Sequence, residues 1–324
     1  MKCRGLGTSG GTAVRVILAI GVAVWASGTV LASAETWRHA APMESPRVEV
    51  RAAVVGTEIY VAGGTTLSGQ SDVFEVYDPA ADHWHALQSM PEGREQFGMA
   101  ALGQDVYVAG GLSSWAKGGA TASVYAFDTR SGVWQRKADL PEARAGLSLA
   151  SVGPAIYAIG GRGADASRIY RYDDAADKWA VAGTMPQPRT GHATAVQGDR
   201  IYVVGGRALD GQPLSRVDVF DTGSKSWSSA PSLPASVVSA AAAFLGSNLH
   251  VAGGASPEAR RTLTSHWRLD ASTTKWMPAK AMPTARQGLT SAAVNGSWYL
   301  IGGGAGQGVL AVFTETDTVE VYTP

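Results

Sequence analysis

Six times along the chain a β-branched, apolar run closes on a glycine pair: IYVAGG at 59–64, VYVAGG at 106–111, IYAIGG at 156–161, IYVVGG at 201–206, LHVAGG at 249–254 and WYLIGG at 298–303. The first glycines stand at 63, 110, 160, 205, 253 and 302, so the period is 45–50 residues. Self-similarity on that scale signals an array of small units, none of which buries both of its faces alone. Six such repeats account for all 290 residues after Ala34, which predicts one domain, 35–324, with no room for a second.

Other columns keep the same register. Trp recurs at 37, 84, 134, 179, 227 and 276. Ten residues after each stand Arg47, Arg94, Arg144, Arg189, Val237 and Arg286. Six further on, every repeat has alanine: Ala53, Ala100, Ala150, Ala195, Ala243 and Ala292. Small side chains there suit inner strands that converge on one axis. Three residues later come Gly56, Gly103, Gly153, Gly198, Gly246 and Asn295, each between two apolar runs. A tight hairpin at that point demands positive φ, which Asn tolerates better than other residues with a side chain. Asp78, Asp128, Asp173, Asp221 and Asp270 precede five of the Trp by six residues, where an Asp side chain can bond the turn ahead. Each repeat reads as four strands, in the first near 48–55, 58–62, 73–77 and 83–86. The predicted fold is an all-β, six-bladed β-propeller with four antiparallel strands per blade. The blades fall near 47–87, 94–137, 144–182, 189–230, 237–279 and 286–324.

This pattern of strand, Gly-Gly, Tyr-Asp and a Trp six residues on resembles the kelch repeat, over the whole of 35–324. Departures are local: His250 stands in a Tyr slot, Leu269 replaces an aromatic, Thr323 replaces the last Asp and Val237 replaces Arg. The sixth repeat ends at VEVYTP (319–324) without a Trp strand, while Glu35-Thr36-Trp37-Arg38 supplies a spare one. Pairing 35–40 with the last blade would close the ring and hide a sheet edge. Copper oxidases that resemble galactose oxidase use a kelch-like propeller with a Cys–Tyr cross-link. This chain has no cysteine after Cys3, so the resemblance implies their fold but neither that cofactor nor any other.

Lys2, Arg4 and Arg15 precede any acid, Val16–Leu31 is apolar or small, and Ala32-Ser33-Ala34 follows. That order is a signal peptide over 1–34, cleaved after Ala34, with a retained N-terminal anchor as the other reading. The expected destination is export, to the periplasm or the extracellular space. After Ala34 the chain holds 24 basic and 27 acidic residues and no second apolar run of spanning length. The expectation is therefore a monomer without a membrane span and without the basic footprint of a nucleic-acid binder.

Strand order puts the Arg column on the same face as the loops between second and third strands, near the mouth of a central channel. One reading is a ligand-binding ring of Arg47, Arg94, Arg144, Arg189 and Arg286, joined by Arg162 and Arg207 just after Gly-Gly. Such a ring would focus positive potential on a carboxylate or phosphate. The resemblance supports this, since kelch adaptors that capture acidic peptides use arginines in that slot. The match is strongest for Arg94, Arg144, Arg189 and Arg286. The other reading is structural, with each Arg clamping blades through loop carbonyls or acids such as Glu92, Glu95 and Glu142. Trp115, in the longest early loop, could stack on a sugar or a peptide, or anchor its loop. Arg47, Glu49 and Arg51 would share one face of a strand and line the channel as a salt-bridged patch. His83 and His85 flank Trp84 on an outer strand without an evident third metal ligand, and His192 faces the channel or packs between blades.

No H-E-x-x-H, G-x-S-x-G or Walker-type loop occurs, so no catalytic residue is assigned. Two functions follow. One is a binding module for a protein, peptide or anionic glycan. The other, by resemblance to periplasmic kelch proteins that interconvert sialic acid anomers, is an enzyme acting on an acidic sugar.

Overall fold

The computed structural model describes residues 35–114 and 119–324, with Gly7 and Gly10 besides. The proposed signal peptide lies outside them. Residues 34–324 form one compact unit. Its blades are six four-stranded antiparallel sheets. The first runs Arg51–Val55, Glu58–Ala62, Phe74–Asp78 and His83–Ala86. The six inner strands begin at Arg51, Gly98, Ala145, Ala193, Ala241 and Thr290. Each packs on the next, and the last packs on the first, so the ring is closed. Among the described residues the one helical element is a 3-10 turn, Gly308–Phe313.

Closure takes the form the sequence predicts. Thr36–Ala40 pairs antiparallel with Val319–Thr323, from Thr36 opposite Thr323 to Ala40 opposite Val319. The N-terminal strand is thus the outer strand of the sixth blade. Trp37 Nε1 donates to the Lys280 carbonyl of the fifth blade at 2.8 Å.

The columns have matching physical roles. Gly56, Gly103, Gly153, Gly198 and Gly246 have φ of 55–63° and Asn295 has 50°. The Ala column is buried in all six blades, between 4 and 8 % exposed. Asp78, Asp128, Asp221 and Asp270 accept turn N–H bonds at 2.8–2.9 Å. The Trp column is less a core than a seam. Only Trp84 is fully buried, and the indoles at 84, 134, 179 and 276 donate to carbonyls of the preceding blade's exit, at 2.8–3.0 Å.

The glycine pairs are where blades meet backbone to backbone. A Cβ on Gly63 would stand 2.7 Å from the Arg94 carbonyl oxygen, and one on Gly110 would stand 2.6 Å from that of Arg144. The second glycine of each pair uses the same closeness: Gly64, Gly111, Gly206 and Gly254 each donate 2.8 Å bonds to the carbonyl of the Arg-column residue in the next blade. At the last seam Gly303 bonds the Arg47 carbonyl at 3.0 Å. Any side chain at these positions would push two blades apart.

Candidate functional site

The Arg column does not line the mouth. Arg47, Arg94, Arg189 and Arg286 are 0 % exposed and Arg144 is 1 %. Each Nη1 donates to the first glycine of its own blade: Gly63 at 2.8 Å, Gly110 at 3.0 Å, Gly160 at 3.2 Å, Gly205 at 3.5 Å and Gly302 at 2.6 Å. Each also pairs with one acid. For Arg47, Arg189 and Arg286 the acid comes from the third strand: Glu75, Asp218 and Glu320. For Arg94 and Arg144 it comes from the loop two residues earlier, Glu92 and Glu142. In those two blades Tyr125 and Tyr170 take the third-strand place and lie 5.2 and 5.0 Å from the guanidinium carbons. The blade that lacks Arg fills the space with Val237 and Trp267. Charge and countercharge are therefore kept or dropped together. The ligand-facing reading of these five residues is corrected: buried, paired and bonded to loop carbonyls, they are interior clamps.

The expected strand face of Arg47, Glu49 and Arg51 is corrected as well. Glu49 has φ of 58°, which breaks the strand and turns Arg47 inward. Glu49 and Arg51 remain as a 3.3 Å ion pair beside the channel. The same left-handed conformation recurs two residues after every Arg-column position: Glu49, Gln96, Gly146, Gly191, Ser239 and Gly288, with φ from 53 to 73°. Their backbones link around the channel, Glu49 N–H to the Gly288 carbonyl at 2.7 Å, Gly288 to Ser239 at 3.1 Å, Ser239 to Gly191 at 2.7 Å, and Gly146 to Gln96 at 2.7 Å. Three blades use glycine here. The other three hold a polar side chain in a conformation that costs a non-glycine residue about 1–2 kcal/mol. Half the column being non-glycine hid it from the sequence reading.

Below this girdle lies a channel cavity of about 160 Å³ lined by Glu49, Arg51, Ser148, Thr194, Ser239 and Ser291, among others. Above it opens a mouth of about 890 Å³ to which all six blades contribute. The two cavities share Glu49 and Ser239. Arg162 and Arg207 both line the mouth, as predicted by their place after Gly-Gly. Arg162 donates to Gln96 Oε1 at 3.1 Å and Arg207 to the Gly211 carbonyl at 2.7 Å. Among the described residues neither has an acid within ion-pair distance. Glu95 also lines the mouth. It accepts from Gln70 Nε2 at 3.2 Å, and burial, reinforced by the nearby Glu49 charge, holds its carboxyl above the usual range. The 3-10 turn forms the far wall, with Val309 83 % and Leu310 58 % exposed. Nothing in the sequence periodicity marked this turn, because it sits in a loop that no other blade repeats.

Trp115 falls outside the described residues. His83 and His85 sit edge to face with centroids 4.7 Å apart on the outer strand, and no cluster of three metal-binding side chains occurs among the described residues. His192 packs between blades, in the slot that holds Val50, Phe97, Leu147 and Leu289 elsewhere, against Gly160 and Gly206. Burial, with the Arg189 charge second, brings its imidazole down to about 3. The one buried histidine pair among the described residues has no signature in the repeat columns. His250 Nδ1 and His266 Nε2 lie 2.8 Å apart, packed on Trp298 and Tyr322 at the seam with the closing blade.

Comparison with known proteins agrees with this architecture. The solved structure of YjhT superposes with a TM-score of 0.77 at 18 % identity, over 87 % of this chain and 96 % of that one, a likeness of fold. No curated protein matches in sequence. The KLHDC2/KLHL20/DRC7 Kelch-repeats domain matches residues 146–321, and the Kelch motif matches 46–91 and 93–141. With those matches running almost unbroken from 46 to 321, the chain belongs to the kelch-repeat family.

Proposed function

We propose that this protein is an exported binding module whose ligand enters the six-blade mouth. The observation that carries the reading is the pair Arg162 and Arg207: they line one cavity of about 890 Å³ and have, among the described residues, no carboxylate partner, whereas the five column arginines are all neutralised internally. Unneutralised cations at a concave mouth draw anionic groups. The strained Glu49, Gln96 and Ser239 add hydrogen-bonding groups where glycine would fit the backbone better. The test is ligand binding by wild type and by an Arg162→Gln, Arg207→Gln double variant, across proteins, peptides and anionic glycans. Binding that survives the double variant unchanged refutes the assignment.

Glu95 favours a second reading, an enzyme acting on an acidic sugar. A carboxyl that burial holds toward its neutral form, on the wall of the same cavity, is placed to exchange a proton with a sugar oxygen. Nuclear magnetic resonance exchange between sialic acid anomers would detect it. Equal exchange with wild type and Glu95→Gln removes this reading.

A further inference from the structure

The mouth is chemically divided. Arg162 and Arg207 occupy the same position, just after Gly-Gly, in the adjacent third and fourth blades. The fifth and sixth blades contribute Ala255, Pro257, Val309 and Leu310 to the same cavity. Val309 and Leu310 stand among the most exposed large apolar residues of the propeller, and Phe313 follows them at 67 %. Their loop is not loose. Gln287 Nε2 donates to the Gly306 carbonyl at 3.0 Å, Gln307 Nε2 to Ser256 at 3.1 Å, and Thr262 Oγ1 to Ala305 at 2.8 Å. The apolar side chains are thus held out over the cavity by a pinned backbone. Of the two carboxylates on the wall, Glu49 pairs with Arg51 at 3.3 Å, and Glu95 accepts from Gln70 at 3.2 Å and is held toward its neutral form by burial, so among the described residues Arg162 and Arg207 are wall charges without a countercharge.

We infer that the mouth takes an amphiphilic carboxylate: an organic anion whose carboxylate lies between Arg162 and Arg207 and whose apolar body covers Pro257, Val309 and Leu310. This rests on the mouth being the ligand site and goes further by naming the ligand's two halves. Two guanidinium groups recognise a carboxylate through paired charge-assisted bonds. The apolar wall supplies the area that such a headgroup alone lacks, about 25 cal/mol for each Å² covered. The volume admits a small organic acid with room to spare, within the range of small-molecule sites.

The probes are hexanoate, acetate and 1-hexanol, read by thermal shift and titration calorimetry on the full propeller. Hexanoate should raise Tm by about 3–6 °C at tenfold excess over its Kd. Acetate, lacking the body, and 1-hexanol, lacking the charge, should each bind at least tenfold more weakly. Arg162→Gln with Arg207→Gln should abolish the hexanoate shift, and Leu310→Asp should weaken it. Both changes are on exposed or half-exposed side chains, so the unliganded Tm checks that the fold is kept, and Val309→Ser serves if Leu310→Asp fails. Equal affinity for acetate and hexanoate overturns the apolar half. A hexanoate shift that persists in the double arginine variant overturns the site. If sialic acid or a partner protein binds through Arg162 and Arg207 while hexanoate does not, the amphiphilic ligand is wrong and the mouth reading stands.

Discussion

Removing Glu75 should expose how the ring is held. Its partner Arg47 is 0 % exposed, donates to the Gly63 carbonyl at 2.8 Å and touches Met43 Sδ at 3.8 Å. Its backbone carbonyl is the acceptor for Gly303 at the closing seam. Glu75→Ala strands a buried guanidinium, which costs about 3–5 kcal/mol. At about 2–4 °C per kcal/mol for a chain of this size, Tm falls by about 6–20 °C. The fifth blade supplies the control, since it fills this space with Val237 and Trp267. Arg47→Val combined with Glu75→Trp should recover most of the loss, because a packed apolar pair replaces a buried ion pair at little net cost. Urea unfolding followed by tryptophan fluorescence, run as a double-mutant cycle, gives the coupling. A Glu75→Ala loss below about 1 kcal/mol is what a solvent-screened surface pair shows. That result would mean Arg47 reaches water, and the clamp argument would fail.

Other expectations follow from the same structure. Val237→Arg should destabilise by several kcal/mol, in the way any unpaired buried charge does; adding Ala235→Glu, at the loop position Glu92 and Glu142 hold, should restore part of it in the same urea assay. His192, His250 and His266 are brought down to about 3, 3 and 4, chiefly by burial, against about 6.5 when unfolded. Their stabilisation is complete above the unfolded pKa and is lost as pH falls below it, by about 1.4 kcal/mol per unit for each. His192→Leu should remove about 2 kcal/mol of the loss between pH 6.5 and 5; an unchanged pH slope would count against the buried neutral imidazole. Deleting 35–42 should lower Tm sharply by opening the sheet edge at Val319–Thr323, and an unaltered melting curve would refute closure by this strand. Ser239→Gly should leave stability level or higher while Gly191→Ala lowers it by about 1–2 kcal/mol in urea unfolding, since the girdle backbone is left-handed at both; the reverse order would refute the strain.

Blade count, four strands per blade, hairpin positions and ring closure were all legible from spacing. They depend on local rules: positive φ at Gly56 and its five equivalents, Asp-capped turns in five blades, and a spare Trp37 strand matched to an unfinished sixth blade. Repetition made weak signals strong. The site was legible only in part. Arg162 and Arg207 were named from their position after Gly-Gly, but Arg47, Arg94, Arg144, Arg189 and Arg286 were named beside them although their side chains point the other way. Sequence gives a column its register along the strand. It does not give the direction of a side chain past a left-handed residue, and Glu49 at φ of 58° is that turning point. Nor does it pair Arg47 with Glu75 in one blade and Arg94 with Glu92 in the next, because those acids occupy different columns. Local chemistry wrote the six-fold scaffold into the sequence; which charges the scaffold buries and which it leaves at the mouth was decided when the blades closed on one another.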